Sequence, residues 1–433
     1  MVVSASGGFL RICLVVVSDG WGGAEAVVYE LAKRFRFEGH EVNIIVNSEV
    51  VSFYEGIEGV GLVDLGRFYP FRAMAMSRLG PRSEYRLLTR FLFLFSQYLD
   101  ELYMLVNQNR LRRLMAWKVQ QKQPEVIHSH LADATYISAG LVGMRIPCVA
   151  TFHGEHELLL PGRRRVNTVL MDPLVRWFRF NLALAPLVKW KERRFRKALA
   201  RMHVVTVLRS STAGYLATWE RALNGKIVVI PNGIDIDELQ HSIKATYALK
   251  GKFNILCPGG SKLRKGSVLL VKALAIIRDK IPGIHAYFSG KIPNHHPIRE
   301  LVQDLELGEN TTFVGFVTTA QYRSLLQSVD VFAMPSLEEG GGPASIACLE
   351  AMAAEKPIVA GRVEGMEGVI VDGRNGLLVK LDPLEVANAI LRLYRDTELR
   401  QAIEKNNRKD STKFDWSLIV DQYIQLFQAL KPS

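Results

Sequence analysis

Residues 11–46 read RICLVVVSDGWGGAEAVVYELAKRFRFEGHEVNIIV. The apolar run that opens this stretch predicts a buried strand, and the turn SDGWGG leads into an amphipathic helix through Phe35. Gly39 ends that helix, and EVNIIV predicts a second strand. Strand, helix and strand in this order form the unit of a parallel sheet, so we predict an α/β protein.

Apolar runs of strand length return along the rest of the chain in two series, with helical patterns between them. This arrangement favours two doubly wound parallel sheets covered by helices. The first series is VIHSH (126–130), PCVAT (147–151), MHVVTVL (202–208) and KIVVIPNG (226–233). The second is FNILCPGG (253–260), HAYFSG (285–290), TTFVGF (311–316), VDVFAMPS (329–336), KPIVAG (356–361) and GLLV (376–379).

The length of the chain also indicates two domains, because 433 residues exceed what one hydrophobic core usually serves. The two series divide near residues 235–252, so we predict domains at 1–235 and 236–433. The last helix is expected to pack back on the first domain. Two doubly wound domains leave a cleft at the carboxyl ends of their strands, where ligands bind.

The composition excludes several classes of protein. Hydrophobic residues at 48% and charged residues at 23% are typical of globular rather than disordered chains. No apolar run reaches the roughly 18 residues that a membrane-spanning helix needs, and Leu10–Val17 is interpreted as a first strand rather than a leader. Reduced, buried thiols without metal-ligand spacing are expected at Cys13, Cys148, Cys257 and Cys348. These features predict a cytoplasmic protein.

The net charge of +12 is concentrated in one region, since residues 161–201 hold twelve Lys or Arg against two acids. Two helical insertions, 67–120 and 161–201, mix large apolar residues with arginine and lysine. Such stretches suit the headgroup layer of an anionic membrane and predict peripheral binding to the inner face of the plasma membrane. The alternative is that their apolar faces pack on the domain while the arginines face water. Nucleic acid is not an expected partner, because no binding motif accompanies the patch.

Two glycine-containing turns open helices and could bind anions. Gly20, Gly22 and Gly23 precede the first helix, where backbone N–H groups can approach a ligand closely, but the G-x-G-x-x-G order of dinucleotide sites is absent. The turn at 258–266 is not a P-loop either. It carries several cations beside glycines, which is what a diphosphate needs. The cations are Lys262, Arg264 and Lys265.

The segment MPSLEEGGGPASIACLEAMA (334–353) combines carboxylates with glycines at a predicted helix start. Backbone N–H groups at Gly341 and Gly342 suit a phosphate or sugar hydroxyls. The carboxylates can accept hydrogen bonds from sugar or ribose hydroxyls. Helix capping is the alternative role for the first glutamates of the segment. The carboxylates are those of Glu338, Glu339 and Glu350.

Together these motifs resemble the family-4 retaining glycosyltransferases, which have the GT-B fold of two Rossmann-like domains facing across a cleft. The resemblance covers nearly the whole chain. It is carried by GGAE (22–25), TFHGE (151–155), IPNGID (230–235), RKG (264–266), the glutamate pair, EAMAAEKPIVAG (350–361) and DGRNGLLV (372–379).

The resemblance implies a role for several residues. The donor diphosphate is expected at Lys265, the donor sugar under Glu339 and the ribose at Glu350. His153 is expected to contact the sugar near the reacting carbon. Supports at the cleft edge, or structural histidines, are expected at His128 and His130.

This sequence departs from the family pattern at two places. Gly260 stands where the family usually has an arginine, and Lys262 or Arg264 could supply that charge. Glu339 and Glu350 are separated by ten residues rather than the usual seven. The loop over the donor is therefore longer, and either Glu338 or Glu339 could face the sugar.

The resemblance implies transfer from a nucleotide-diphosphate sugar with retention of configuration and without a cofactor or metal. The residues agree about the metal, because no Asp-x-Asp motif sits at a strand end to hold a divalent ion against a diphosphate. The basic insertions favour a lipid-linked saccharide or a cell-envelope polysaccharide as acceptor. The alternatives are a soluble sugar or sugar-phosphate acceptor, a nucleotide-sugar epimerase of the same fold, and a GT-B scaffold that has lost catalysis.

Overall fold

The computed structural model describes residues 8–20, 22–71, 86–154, 184–241, 247–260, 262–294, 296–338 and 345–431. The chain forms two compact units. The first consists of Met1–Ile230 together with Val420–Ser433, and the second of Pro231–Ile419.

The first unit contains a fully parallel sheet. Its strands are β1 (Arg11–Val16), β2 (Glu41–Val46), β3 (Gly61–Asp64), β4 (Val126–His130), β5 (Cys148–Phe152), β6 (Val204–Val207) and β7 (Ile227–Val229). They lie in the order β3-β2-β1-β4-β5-β6-β7. The helices of this unit are α1 (Gly23–Phe37), α2 (Arg86–Lys122), α3 (Ala132–Ser138), α4 (Leu184–Arg201) and α5 (Ser210–Trp219). Short 3₁₀ turns lie at Val51–Phe53, Val142–Met144 and Arg221–Leu223.

The second unit repeats this design. Its strands are β8 (Phe253–Cys257), β9 (Ile284–Ser289), β10 (Thr311–Gly315), β11 (Val331–Met334), β12 (Ile358–Gly361) and β13 (Leu377–Val379), in the parallel order β10-β9-β8-β11-β12-β13. Its helices are α6 (Ile236–His241), α7 (Ser267–Ile277), α8 (Pro297–Asp304), α9 (Thr319–Ser328), α10 (Ile346–Ala353), α11 (Pro383–Arg395) and α12 (Thr397–Ser411). Its 3₁₀ turns lie at Leu263–Lys265, Gly308–Asn310 and Thr412–Phe414. The last helix, α13 (Trp416–Ala429), continues into the residues of the first unit.

The strands form where the sequence predicts them because they are apolar runs, and helices bury the central ones on both faces. All five residues of β4, β5 and β8 are buried, including the polar ones. The prediction of an α/β protein with two parallel sheets is confirmed. Within the described residues, no helix is long and apolar enough to cross a bilayer.

The sequence analysis missed one strand and misplaced one helix end. β3 is a four-residue strand at the edge of its sheet, and only one of its residues is buried. Such a strand lacks the long apolar run by which the others were found. α1 continues two residues beyond Phe35, since its exposed last turn needs no apolar residue. Residues 72–85 and 161–183, which belong to the two predicted insertions, lie outside the described residues, as do residues 155–160.

The end of the chain packs in the first unit. Tyr423 and Phe427 of α13 are buried and contact Phe35 of α1 at ring-centroid distances of 6.4 and 5.7 Å. They also contact the ring of His128 at 5.0 and 5.5 Å. The C-terminal helix therefore lines the back of the strand that carries the histidines.

Candidate functional site

Two histidines meet at the carboxyl edge of the first sheet. β4 ends at His130, and His153 follows directly after β5, its neighbour in the sheet. Nδ1 of His130 lies 3.0 Å from Nε2 of His153, and both residues are buried. Gly154 follows with a φ of +142°, a backbone conformation that favours glycine. The sequence motif TFHG thus places an imidazole at the strand end, next to a glycine in a conformation that other residues rarely adopt.

A second, deeper histidine supports this pair. Nε2 of His128 lies 2.7 Å from Oγ1 of Thr151, which is in turn 2.7 Å from Oγ1 of Thr206. The rings of His128 and His130 are in contact, with centroids 4.1 Å apart and planes tilted by 45°. Burial lowers the pKa of His128 to about 3, and burial also lowers the pKa of His130 well below its ordinary value. Both rings are therefore neutral near pH 7.

The glycine loop of the first unit is shaped by a carboxylate. Gly22 is the N-cap of α1, and a Cβ added there would lie 2.9 Å from Oε2 of Glu25. Glu25 is buried, and its carbonyl oxygen accepts a hydrogen bond from the Tyr54 hydroxyl. A Cβ added at Gly23 would meet no atom of the described residues within 4 Å. The first turn of α1 is therefore open at Gly23 and occupied by Glu25 at Gly22.

Hydrogen bonds join the segments that follow four strands of the first sheet. The Asn47 amide donates to the Ser18 carbonyl at 2.7 Å and to Glu49 at 2.6 Å. Glu49 accepts from the Tyr69 N–H at 2.7 Å, and the Tyr69 hydroxyl donates to Asp133 at 2.7 Å. The sequence analysis missed this network. In the sequence these residues are recognisable only as polar residues that follow strands, and this pattern does not show which of them form hydrogen bonds with each other.

In the second unit, the predicted diphosphate loop is a tight turn between β8 and α7. The Lys265 N–H donates to the Lys262 carbonyl at 2.7 Å, and Gly266 has a φ of +81°. A Cβ at Gly266 would lie only 1.9 Å from the Pro335 carbonyl oxygen. The Leu337 N–H donates to the Arg264 carbonyl at 2.8 Å. The turn is thus held against the segment after β11 by contacts that only glycine permits.

Lys265 lies near the end of β8. Burial raises the pKa of the Cys257 thiol to about 12, and the charge of Lys265 opposes this rise. Lys265 is half-buried, whereas Lys262 is exposed. Of the predicted cations, Lys265 is therefore the one whose charge acts at the carboxyl end of the central strand.

Gly260 occupies a cramped position. Its N–H donates to the Ser289 carbonyl at 3.1 Å. A Cβ there would lie 2.9 Å from Cδ1 of Ile292 and 3.4 Å from Cβ of Phe288. A larger side chain at this position would have to shift the side chain of Ile292.

Glu350 lies on α10 with two polar neighbours from α9. Burial raises the pKa of Glu350 to about 7, although the charge of Arg323 lowers it. Burial, and then the charge of Glu350, raise the pKa of Tyr322 well above its ordinary range. The Tyr322 hydroxyl is buried and has no hydrogen-bond partner among the described residues. The sequence analysis missed Tyr322, because an unpaired hydroxyl is visible only when its surroundings are known.

Three predicted residues lie outside the described part of the chain: Glu339, Gly341 and Gly342. Glu338 is the last described residue before them. The structure therefore places Gly23, His153, Gly260, Lys262, Arg264, Lys265 and Glu350.

The basic helix α4 has two kinds of cation. The Arg194 guanidinium lies between the rings of Tyr136 and Trp190, at 3.5 and 3.9 Å from their centroids, and Arg196 pairs with Glu220 at 2.6 Å. These two arginines pack on the unit, as the alternative interpretation expects. Lys191 is half-buried. Four further cations are exposed, and their spacing of four residues places them on one face of the helix. These are Lys189, Arg193, Lys197 and Arg201, and we call them the basic stripe.

The neighbouring helix α2 exposes a mixed apolar and basic face. Val106 is 79% exposed and Trp117 is 52% exposed. Arg110 and Arg113 lie between them and are also exposed, and the spacing 106, 110, 113 and 117 places all four on one face. Arg194 of α4 donates to Gln108 of α2 at 2.6 Å. This side-chain contact joins the two helices in the first unit.

Comparison with known proteins gives matches along the whole chain. Residues 21–238 match the family model described as Glycosyltransferase Family 4, and residues 240–410 match the model described as Glycosyl transferases group 1. The chain is similar to the HepE protein of Anabaena, solved in complex with UDP, at 18% identity and a TM-score of 0.68. That alignment covers 97% of this chain and 100% of HepE.

Two curated relatives illustrate the range of similar proteins. The phosphatidyl-myo-inositol mannosyltransferase of Mycobacterium tuberculosis is 27% identical over 55% of this chain and 64% of its own length. The D-inositol 3-phosphate glycosyltransferase of Pseudarthrobacter chlorophenolicus is 29% identical over 65% of this chain and 66% of its own length. For several curated relatives the chain spans only 45% to 66% of their length.

Proposed function

The chain belongs to glycosyltransferase family 4, and from that premise we propose that it transfers a sugar from a nucleoside-diphosphate sugar to a lipid-linked saccharide or a growing cell-envelope polysaccharide. The transfer retains the configuration of the sugar and uses no metal ion. The new bond forms between the acceptor hydroxyl oxygen and the anomeric carbon. The bond from that carbon to the diphosphate breaks, and a leaving phosphate oxygen takes the acceptor proton.

The observation that carries this proposal is the tight turn that ends in Lys265 and Gly266. Negative charge grows on the diphosphate as the anomeric bond breaks, and a fixed cation stabilises that charge most where it develops. The turn holds Lys265 at the carboxyl end of β8, which is where ligands bind to parallel sheets. Lys262, Arg264 and the N–H groups of Gly341 and Gly342 are proposed to complete the phosphate site.

The ribose and the sugar are assigned to other residues. Glu350 accepts hydrogen bonds from the ribose hydroxyls, and the neighbouring Tyr322 hydroxyl supplies a further partner, since it is buried without one among the residues described. Glu339 faces the donor sugar. In the first unit, His153 contacts the sugar near the reacting carbon, and the open turn at Gly23 approaches the ligand.

The test is to incubate purified protein with a panel of nucleotide sugars and to measure released nucleoside diphosphate. Each donor is assayed with EDTA, with and without a lipid extract. Release that requires lipid and survives EDTA supports the proposal and names the donor. Release that stops with EDTA contradicts the metal-independent mechanism. If the protein binds a donor but releases no nucleoside diphosphate with any acceptor, the inactive scaffold is supported.

A soluble acceptor is the second candidate function. The observation that favours it is the similarity to a D-inositol 3-phosphate glycosyltransferase, whose name specifies a sugar-phosphate-like acceptor. Release that is as fast with soluble inositol phosphates or sugar phosphates as with lipid extract would decide for this alternative.

Donor binding is expected to depend on the ionisation of Glu350. Burial raises its pKa to about 7, so the carboxylate form, which accepts ribose hydroxyl hydrogen bonds, becomes populated only as the pH rises through that value. The affinity for the nucleotide sugar should therefore increase from below to above pH 7. Isothermal titration calorimetry measures this affinity. The ligand is the intact nucleotide sugar, because a free nucleoside diphosphate has its own phosphate ionisation at about pH 6.

The variant Glu350→Gln should bind the donor more weakly above pH 7 and lose the pH dependence. Glu398→Gln is the matched control, since it removes an exposed carboxylate from the same unit. Unchanged pH dependence in Glu350→Gln would show that another group is responsible.

The membrane part of the proposal rests on the basic stripe of α4 and the exposed face of α2. An aromatic residue among cations suits the boundary between headgroups and acyl chains, and each surface cation contributes about 1 kcal/mol on an anionic membrane. Trp117 and the cations of both helices provide this combination.

Charge reversal of the stripe is expected to weaken this binding. The triple variant Lys189→Glu, Arg193→Glu and Lys197→Glu should bind vesicles containing anionic lipid at least about 100-fold more weakly, because the loss of three favourable cations alone accounts for about that factor. Co-sedimentation with the vesicles measures the loss, and added salt should release the wild-type protein. The matched control is Lys405→Glu, Lys409→Glu and Lys413→Glu, the same change in net charge on exposed residues of the second unit. Equal losses in both triple variants would contradict a specific surface.

A further inference from the structure

The hydrogen bond between His130 and His153 has a direction that the surroundings decide. His130 is fully buried as the last residue of β4, and its Nε2 is buried with no hydrogen-bond partner among the described residues. Burial, helped by the neighbouring histidines, lowers its pKa well below the ordinary value. The ring is therefore neutral and carries one N–H, either on Nδ1 or on Nε2.

The two positions of that proton are not equivalent. With the proton on Nε2, a buried N–H would have no acceptor, and a buried donor without a partner is unfavourable. With the proton on Nδ1, the N–H points at Nε2 of His153, 3.0 Å away. Only a lone pair is then left unpaired at Nε2 of His130, which is less unfavourable than a buried N–H without an acceptor.

The ring of His128, which lies behind His130, is also held in place by its contacts. Its Nε2 lies 2.7 Å from Oγ1 of Thr151, and its buried Nδ1 has no partner within the described part of the chain. The hydroxyl of Thr151 also forms hydrogen bonds with the hydroxyl of Thr206 and, at 3.4 Å, with the hydroxyl of Tyr423. The ring of His130 is thus held from behind by a packed and hydrogen-bonded column, so it presents Nδ1 to His153 in one orientation.

We propose that His130 is a positioning residue that donates a hydrogen bond from Nδ1 to Nε2 of His153 and so holds His153 in the tautomer with its proton on Nδ1. An imidazole that touches a substrate acts according to which nitrogen bears the proton, and a hydrogen bond to the other ring nitrogen commonly sets this. The effect on turnover rests on the proposed function, in which His153 contacts the donor sugar. The tautomer of His153 does not depend on the proposed function.

The first test is nuclear magnetic resonance of protein labelled with nitrogen-15 in its histidines. The His153 signals are identified by their loss in His153→Gln. In the wild type, Nδ1 of His153 should show the chemical shift of a protonated nitrogen and Nε2 that of an unprotonated one. A protonated Nε2 on His153 would overturn the proposal.

The second test compares two replacements of His130. In His130→Asn, the amide nitrogen can occupy the place of Nδ1 and donate to His153, whereas His130→Leu fills a similar volume without a donor. We expect His130→Leu to lower kcat by about 10- to 100-fold with the KM for the donor little changed, and to give a mixed His153 tautomer. His130→Asn should retain most of the wild-type kcat and the Nδ1–H tautomer.

The outcomes separate a positioning role from a structural one. A folded His130→Leu variant with wild-type kcat and tautomer would overturn the proposal, and so would equal losses in both variants. If the wild type transfers sugar from no donor, the proposed function fails, while the nitrogen signals of His153 in the wild type and both variants still decide the inference.

Discussion

The variant Lys265→Ala should lower kcat by about 100- to 1,000-fold, the effect of removing one fixed group that stabilises developing charge. Lys265 follows the carboxyl end of β8 in a 3₁₀ turn that Gly266 closes, and its charge acts on the nearby Cys257 thiol. A cation held there stabilises the departing diphosphate more than the bound donor. The loss should therefore appear in kcat more than in the KM for the donor.

Steady-state release of nucleoside diphosphate, with the donor identified by the panel, measures this effect. Lys265→Arg should restore part of the rate, since it returns a cation of different shape. Lys272→Ala is the control, because it removes an exposed lysine from α7, the helix that this turn opens. Wild-type turnover in Lys265→Ala would remove Lys265 from the leaving-group site.

The variant Gly266→Ala should destabilise the second unit by about 3 kcal/mol or more, a loss at the upper end for single substitutions. The added Cβ would lie 1.9 Å from the Pro335 carbonyl oxygen and 2.5 Å from its carbon, distances at which one backbone segment must move. The left-handed conformation at a φ of +81° costs alanine about 1–2 kcal/mol in addition. The displaced turn should also take Lys265 out of position, so activity falls with stability.

Urea unfolding followed by hydrogen exchange of peptides from β8 and α7 reports on the second unit separately. Gly308→Ala is the matched control in this unit, because a Cβ there meets nothing within 4 Å among the described residues. It should change the free energy of unfolding by no more than about 0.5 kcal/mol. Together the variants separate charge from shape: Lys265→Ala should lose rate while keeping stability, and Gly266→Ala should lose both. Equal stability of Gly266→Ala and Gly308→Ala would contradict the close contact at Pro335.

The strands were predictable because each is an apolar run whose burial does not depend on which partner covers it. β4, β5 and β8 were found in this way, and the family motifs lie where these strands end. β3 escaped notice because a short edge strand has only one buried residue and is stabilised by pairing with β2. That pairing joins segments that are distant in sequence, so no local pattern reports it.

The candidate site was also predictable only in part. Its ingredients were visible in the sequence: His153 after a strand, Lys265 in a cationic turn, and Glu350 on a helix. The contacts of Gly266, Tyr322 and His130 were not visible, because each contact joins distant parts of the fold, although His130 was expected to be a support or a structural histidine. These contacts are the approach to Pro335, the neighbouring carboxyl of Glu350 and the imidazole of His153.

The sequence by itself determined the two parallel sheets, the family and the types of residue at the strand ends, because hydrophobic periodicity and ordered motifs are properties of neighbouring residues. The tertiary structure alone decided which arginines of α4 pack on Tyr136 and Glu220 and which cations form the basic stripe. It also decided that His130 faces His153 with a buried, unpaired nitrogen behind it in the described structure. Burial and hydrogen-bond direction depend on atoms brought together from distant parts of the chain, and no single segment of sequence contains them.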